Sequence, residues 1–160
     1  MTGVESAATV ATVATAAAAV CSGVSGGVYF AFSALVLPAL RSRPAAEAAA
    51  TMRAVNVAAV RAPFMAVFFV GVVSASAVVV LDLLDEPQPL RIAGGVLALA
   101  AFGITVARNV PLNEALARGR LAGHGSVWAR FEPRWRRANH ARTLLSVLAA
   151  IALTTSLAEH

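Results

Sequence analysis

The most informative property of this sequence is its shortage of charge. Charged residues make up 13% of the 160 residues, hydrophobic residues make up 59%, and lysine does not occur at all. A soluble domain of ordinary composition carries about a quarter charged residues. The chain is therefore too apolar to surround a core with a wettable surface. Its composition predicts one integral membrane domain that covers residues 1–160.

Several kinds of chemistry also lack the residues that they need. Cys21 is the single cysteine, which excludes an internal disulfide and a cysteine cluster. His124, His140 and His160 are not spaced as metal ligands, and neither a P-loop nor a dinucleotide fingerprint is present. No acidic residue lies in the central part of an apolar run, which argues against a proton-coupled exporter. We expect no metal and no other cofactor.

The basic residues follow the pattern of a membrane protein and do not indicate a nucleic-acid partner. The connection 41–61 holds four arginines and the connection 108–142 holds eight, whereas the link 82–91 has three acidic residues and one arginine. Positive connections stay in the cytoplasm. The sequence therefore predicts a multi-pass protein of the cell membrane, with both termini outside and both long connections cytoplasmic.

Four charge-free runs set the fold class. With their flanks they predict membrane spans at about 14–38, 60–82, 89–108 and 139–158, since a span needs about 20 residues. Inside lipid the backbone must satisfy its own hydrogen bonds, so the spans are helices. We predict an all-α four-transmembrane-helix bundle, with short amphipathic helices in the cytoplasmic connections.

Prolines predict where these helices begin and end. Pro38 is expected to close the first span, and Pro63 fits the first turn of the second. The alanine-rich stretch 44–61 is expected to form a helix at the cytoplasmic surface. Pro111 is expected to start a new helix that ends at residues 118–119.

The approach to the last span is rich in arginine and aromatic residues. A break is expected at 123–126, and Trp128, Phe131 and Trp135 are expected to line one side of a segment that Pro133 interrupts. Because the chain ends soon after the last apolar run, a full-length span has to begin near Asn139.

That length argument places polar side chains at the edge of the hydrocarbon, where they are usually paired or functional. Trp135, Asn139 and Arg142 follow one another at helical spacing and share a face. His140 points about 100° away from Asn139. Trp135 also suits an interface belt, so its role stays open.

Three further features allow two interpretations each. Gly23 and Gly27 form a GxxxG pair, which serves close packing within one chain or a homo-oligomer. Tyr29 is either an interfacial anchor or a functional phenol. The Arg-x-x-Asn motif that ends at Asn56 recurs before the last span and ends at Asn139, so two repeated halves or chance account for it.

One combination of residues resembles a known family. Asn109-x-Pro111-x-Asn113, followed by Trp135-x-x-x-Asn139-x-x-Arg142 and a final apolar helix, is similar to the anthrone oxygenase-like family of small four-helix membrane proteins. Asn56 before the second span fits the same pattern. The similarity covers essentially the whole chain.

This resemblance implies an oxidoreductase. Members with an assigned activity oxidise polyketide anthrones to anthraquinones with molecular oxygen, without metal or flavin. Such a reaction needs an apolar slot for a flat tricycle, hydrogen-bond donors to an oxyanion and a proton acceptor. The expected catalytic residues are Asn139, Arg142, Asn109, Asn113 and, as the base, His140. The expected substrate-binding residues are Trp135, Asn56, Tyr29, Trp128 and Phe131.

Two other functions agree with the same composition. A non-catalytic protein would bind a lipid, a hydrophobic metabolite or the helices of a partner. A transporter would place its substrate between the two halves, although it would lack the usual acidic residue inside the membrane.

Overall fold

The computed structural model describes residues 2–85, 87–119 and 126–159, which are helical almost throughout and contain no strand. The predicted all-α class is confirmed. In chain order the elements are α1 (Thr2–Ala31), a first π-helical turn (Phe32–Val36), α2 (Leu37–Arg41), α3 (Ala45–Ala59), α4 (Ala62–Leu84), α5 (Pro89–Ile104), a second π-helical turn (Thr105–Asn109), α6 (Val110–Ala117) and α7 (Val127–Ala158).

Four continuous helical segments are long and apolar enough to cross a membrane, which indicates a multi-pass membrane protein. They are Ala8–Arg41, Ala62–Leu84, Pro89–Ala117 and Val127–Ala158. Helix α1 packs on α7 and α4, and α5 packs on the same two helices. The four segments therefore form a closed bundle in which each helix has two main neighbours.

The bundle is held together by small residues that let the helices approach closely. A Cβ atom added at Gly94 would lie 2.6 Å from Cγ of Leu153, and one added at Gly95 would lie 2.7 Å from Cγ2 of Val79. Gly23 contacts Ala150 of α7 within the same chain, whereas no atom lies within 4 Å of the Cβ position at Gly27. Close packing within the chain explains Gly23, and the homo-oligomer stays a prediction.

The two π-helical turns have the same cause. The N–H of Leu37 donates to the carbonyl of Phe32, five residues earlier, directly before Pro38. Val110 donates to Thr105 in the same way, directly before Pro111. A proline in a helix lacks an N–H and its ring meets the carbonyl four residues earlier, so the preceding turn widens.

Because of these widened turns, two predictions were wrong. Pro38 does not close the first helix, because the π turn absorbs it and the helix continues to Arg41. Pro111 does not start a separate helix, since α5, the second π turn and α6 are continuous. The predicted end after Ala117 is confirmed, and Gly119 there adopts a φ of +63°.

The last helix begins earlier than the length argument predicted. Helix α7 starts at Val127, where the side chain of Ser126 accepts a hydrogen bond from the N–H of Ala129 at 3.2 Å. Pro133 lies inside α7 and does not interrupt it. The predicted break at 123–126 lies outside the described residues except for this capping serine.

The connection after the first spanning segment forms the predicted helix. Helix α3 begins directly after Pro44 and buries Ala48, Ala49 and Met52. These side chains join an apolar cluster with residues of α2, α6 and the first half of α7, namely Leu37, Leu40, Leu116, Trp128, Phe131 and Trp135. The second connection shows no separate helix in its described part. The apolar cluster packs α3 and the first half of α7 against the ends of the segments Ala8–Arg41 and Pro89–Ala117.

Ion pairs stabilise both ends of the bundle. Nε of Arg41 donates to a carboxylate oxygen of Glu132 at 2.9 Å, which joins α2 to α7. At the opposite end, Nε of Arg91 donates to the buried Asp82 at 2.9 Å and joins α5 to α4. Each pair satisfies a carboxylate that is costly to bury alone.

Candidate functional site

A cavity of the described structure lies where the two π turns meet α3, α4 and α7. Its volume is about 190 Å³. A cavity of about 150 Å³ is sufficient to bind benzene in another protein, so this one accommodates an aromatic molecule. Six of the residues singled out from the sequence line it: Tyr29, Asn56, Asn109, Asn113, Trp135 and Arg142.

Asn139 and Arg142 form the polar centre of the site. Nε and one terminal nitrogen of Arg142 donate to Oδ1 of Asn139 at 3.0 and 2.9 Å. Nδ2 of Asn139 donates to the backbone carbonyl of Tyr29 and to Oγ of Ser33, both at 2.8 Å. Asn139 is 0% exposed and Arg142 is 7% exposed. Asn139 therefore holds the guanidinium in place and ties α7 to α1.

The surroundings of Arg142 do not neutralise its charge. No carboxylate forms a salt bridge with it among the described residues. Its remaining protein hydrogen bond goes to Oγ1 of Thr105 at 3.4 Å, and its Cζ atom lies 3.9 Å from the ring centroid of Tyr29 and 5.1 Å from that of Trp135. Three of its five N–H groups are thus used, which leaves two for a ligand.

Two asparagine side chains at the cavity have unpaired atoms. Neither side-chain atom of Asn109 has a hydrogen-bond partner, although the residue is only 1% exposed. Nδ2 of Asn56 is unpaired as well. A buried amide without a partner costs about 1–3 kcal/mol. Such groups lining a cavity are suited to bind the polar atoms of a ligand.

Aromatic side chains form the apolar part of the wall. The Trp135 ring lies 5.5 Å from that of Phe32, and its Nε1 donates to Oδ1 of Asn113 at 2.8 Å. Phe64 and Phe68 of α4 stack with centroids 6.3 Å apart. Flat aromatic ligands pack well between such faces. The cavity therefore combines an apolar slot with a cationic, amide-rich end.

Three residues expected at the site lie elsewhere. His140 is exposed on the opposite side of α7 and does not line the cavity. The reason is the helical rotation of about 100° between neighbouring residues, so the assignment of His140 as the base is not supported by its position. Trp128 and Phe131 are buried in the apolar cluster beneath the cavity, where Phe131 packs 6.2 Å from Trp135. Phe131 therefore packs against Trp135, and Trp128 packs against Phe131.

The structure gives the position of Tyr29, and it also adds residues to the site that the sequence did not indicate. Tyr29 lies inside the bundle, 3% exposed, and is not an interfacial anchor. Thr105 reaches Arg142 from the second π turn, while Phe32 and Ser33 belong to the first. The proline that follows each π turn was the available signal, but Pro38 was interpreted as a helix end and Pro111 as a helix start.

The arrangement of the described side chains does not support metal binding. In the described ranges, no three histidine, cysteine, aspartate or glutamate side chains come together as a metal site requires. The chemistry that the cavity can perform is hydrogen bonding and charge stabilisation, supplied by one guanidinium, three asparagines and an aromatic wall.

Comparison with known proteins identifies a family. A family model described as anthrone oxygenase matches residues 51–152, a range that starts in α3 and ends within α7. It includes Asn56, the second π turn and the Asn139–Arg142 pair. No curated protein and no solved structure matches the chain.

Proposed function

The chain belongs to the anthrone oxygenase family, and on that premise we propose that it is a membrane-embedded oxygenase. In this proposal it oxidises an anthrone or a similar apolar aromatic with molecular oxygen and uses neither metal nor flavin. The family match supports an oxygenase-like role at the level of the family. The substrate and the site residues are inferred from the cavity.

The observation that carries the proposal is the buried guanidinium of Arg142, which lines an apolar cavity without a carboxylate partner. A buried cation with free N–H groups favours an anionic oxygen close to it. An anthrone supplies that oxygen when the acidic C–H of its central ring loses a proton. The resulting anthrolate carries its charge on the carbonyl oxygen.

Arg142 and the amides lower the free energy of this anion and so make the C–H more acidic. Each donor in a dry site contributes about 3 kcal/mol to such an oxyanion. No carboxylate or histidine lines the described cavity, so the proton passes to a weak acceptor such as water. The electron-rich anthrolate then reacts with oxygen, and the CH₂ group becomes a carbonyl with release of one water.

The rest of the cavity suits the carbon skeleton of this substrate. Trp135, Phe32, Phe64 and Phe68 all line the cavity and offer aromatic rings against which flat rings can pack. The orientation follows from chemistry, since the oxygen atom turns toward Arg142 and the hydrocarbon edge toward α4.

Oxygen uptake tests the proposal directly. Purified protein in lipid nanodiscs is supplied with an anthrone, and uptake is compared among the wild type, Arg142→Gln and His140→Ala. We expect wild-type uptake well above the spontaneous rate, a loss of about 100-fold in Arg142→Gln, and no change in His140→Ala. Equal rates in the wild type and Arg142→Gln would remove Arg142 from the mechanism.

A non-catalytic binding protein is the second candidate, favoured by the lack of an ordinary base among the described lining residues. It would bind a lipid or a hydrophobic metabolite in the same cavity. The two candidates differ in one measurement, because a binding protein retains a ligand through purification but consumes no oxygen with any anthrone.

We further propose that both termini face outward and that the arginine-rich connections are cytoplasmic, as the distribution of positive charge favours. The chain has one cysteine, Cys21, so single-cysteine variants are simple to prepare in a Cys21→Ser background. An impermeant maleimide added to intact cells should label Gln88→Cys and not Ser42→Cys. Labelling of Ser42→Cys alone would reverse the orientation.

A further inference from the structure

A second, smaller cavity lies deeper in the bundle. Its volume is about 40 Å³, too small for an aromatic ring, and residues of α1, α4, α5 and α7 line it. Tyr29 and Phe68 line both this cavity and the larger one. The two cavities therefore share a wall.

Most of this small cavity is apolar, and it lies near the middle of the spanning segments. Val67, Val72, Ala98 and Ala101 belong to its wall. Ala101 lies near the centre of the segment Pro89–Ala117. An apolar gas is more soluble in hydrocarbon than in water, since its transfer out of water is favourable, so oxygen reaches this depth from the lipid.

Three serine hydroxyl groups interrupt the apolar wall, namely those of Ser22, Ser25 and Ser146. In the part of the chain that the structure describes, none of these hydroxyls makes a hydrogen bond, whereas Ser156 on the same helix as Ser146 donates to the carbonyl of Leu153 at 2.8 Å. These serines are thus free to donate to a small ligand in the cavity.

We propose that this serine-lined cavity binds dioxygen for the reaction in the larger cavity. The grounds are the wall that the two cavities share, the small volume and the serine hydroxyls without a partner. The inference rests on the proposed function. One electron passes from the anthrolate to dioxygen and gives a carbon radical and superoxide. Uncharged donors in a dry site stabilise such an anion as it forms. The two radicals join through a C–O bond, and the peroxide takes up a proton and loses water to leave the carbonyl.

Oxygen occupancy is measured independently of activity by nuclear magnetic resonance. Dissolved dioxygen is paramagnetic and broadens the methyl signals of nearby alanines in ¹³C-alanine-labelled protein. The methyl of Ala101, which lines the cavity, should broaden more than that of Ala75, which is equally buried at a similar depth but does not line it. Equal broadening would overturn the proposal.

Kinetics provides the second test. Ala98→Leu fills the cavity and should raise the KM for dioxygen about tenfold while the KM for the anthrone is unchanged, and it should abolish the extra broadening at Ala101. The matched control is Ala100→Leu, on the exposed face of the same helix, which should change neither. An unchanged KM for dioxygen in Ala98→Leu would overturn the proposal.

The hydroxyl groups are tested by Ser146→Ala, with Ser156→Ala as its control on the same helix. Ser146→Ala should lower kcat about tenfold without a change in the anthrone KM, and Ser156→Ala should retain kcat. Equal kcat values would remove the serine from the mechanism. If the wild type shows no uptake with any anthrone, the proposed function fails, and the comparison of Ala101 with Ala75 still decides whether the cavity binds dioxygen.

Discussion

Asn139 and Arg142 should contribute jointly, and not independently, to the free energy of unfolding. Replacing Asn139 with leucine removes the acceptor of two Arg142 hydrogen bonds, at 3.0 and 2.9 Å, and leaves the guanidinium with Thr105 at 3.4 Å. A hydrogen bond to a charged group contributes about 1.5–3 kcal/mol, so the loss of both costs about 3–5 kcal/mol. We expect Asn139→Leu to lower the free energy of unfolding by that amount.

The double variant separates this effect from lost packing. In Asn139→Leu/Arg142→Met the guanidinium charge is removed and two apolar side chains fill the space. The free energy of unfolding of the double variant should therefore exceed the sum of the single changes by about 2 kcal/mol or more. Unfolding in mixed micelles, followed by circular dichroism during titration with dodecyl sulfate, gives the four free energies. The control cycle pairs Arg142→Met with His140→Ala, which should be additive because His140 is exposed. Additivity in the Asn139 cycle would refute the claim that Asn139 holds the guanidinium.

Further predictions concern residues with distinct roles. Asn109→Leu removes an unpaired buried amide, so the free energy of unfolding of the variant should rise by about 1 kcal/mol. Its anthrone-dependent oxygen uptake should fall about 100-fold. A stable and fully active variant would exclude Asn109 from the site. Asp82→Asn breaks the buried pair with Arg91 and should lower the unfolding free energy by about 3 kcal/mol, with no change in affinity for the anthrone. A loss of affinity in Asp82→Asn would show that the far end of the bundle controls the cavity.

Composition and helical spacing were sufficient to predict the fold class and the inward face of α7. The shortage of charge predicted the all-α bundle. The spacing of Trp135, Asn139 and Arg142 predicted the face of α7 that the structure buries. The same geometry placed His140 about 100° away, and it is exposed. These features depend on local periodicity, which a sequence displays directly.

The π turns and the start of α7 were not accessible in this way. A π turn inserts a residue into the helical register, so the faces beyond Phe32 and Thr105 shift from those that a regular repeat predicts. Pro38 was interpreted as a helix end because the widened turn that absorbs it leaves no separate mark in the sequence. The early start of α7 at Val127 follows from the Ser126 cap and from the apolar cluster that its first turns form with α3, and the length argument considered neither.

The central claim is that Arg142 and its amide neighbours stabilise an anionic oxygen on a flat ligand. A hydroxyanthraquinone tests it most directly, since its colour reports whether its phenol is ionised. Bound to the wild type in nanodiscs, the ligand should ionise at a pH lower than in protein-free nanodiscs by about one unit or more, and this shift should disappear in Arg142→Gln. The same ionisation pH in the wild type, in Arg142→Gln and in protein-free nanodiscs would contradict the account.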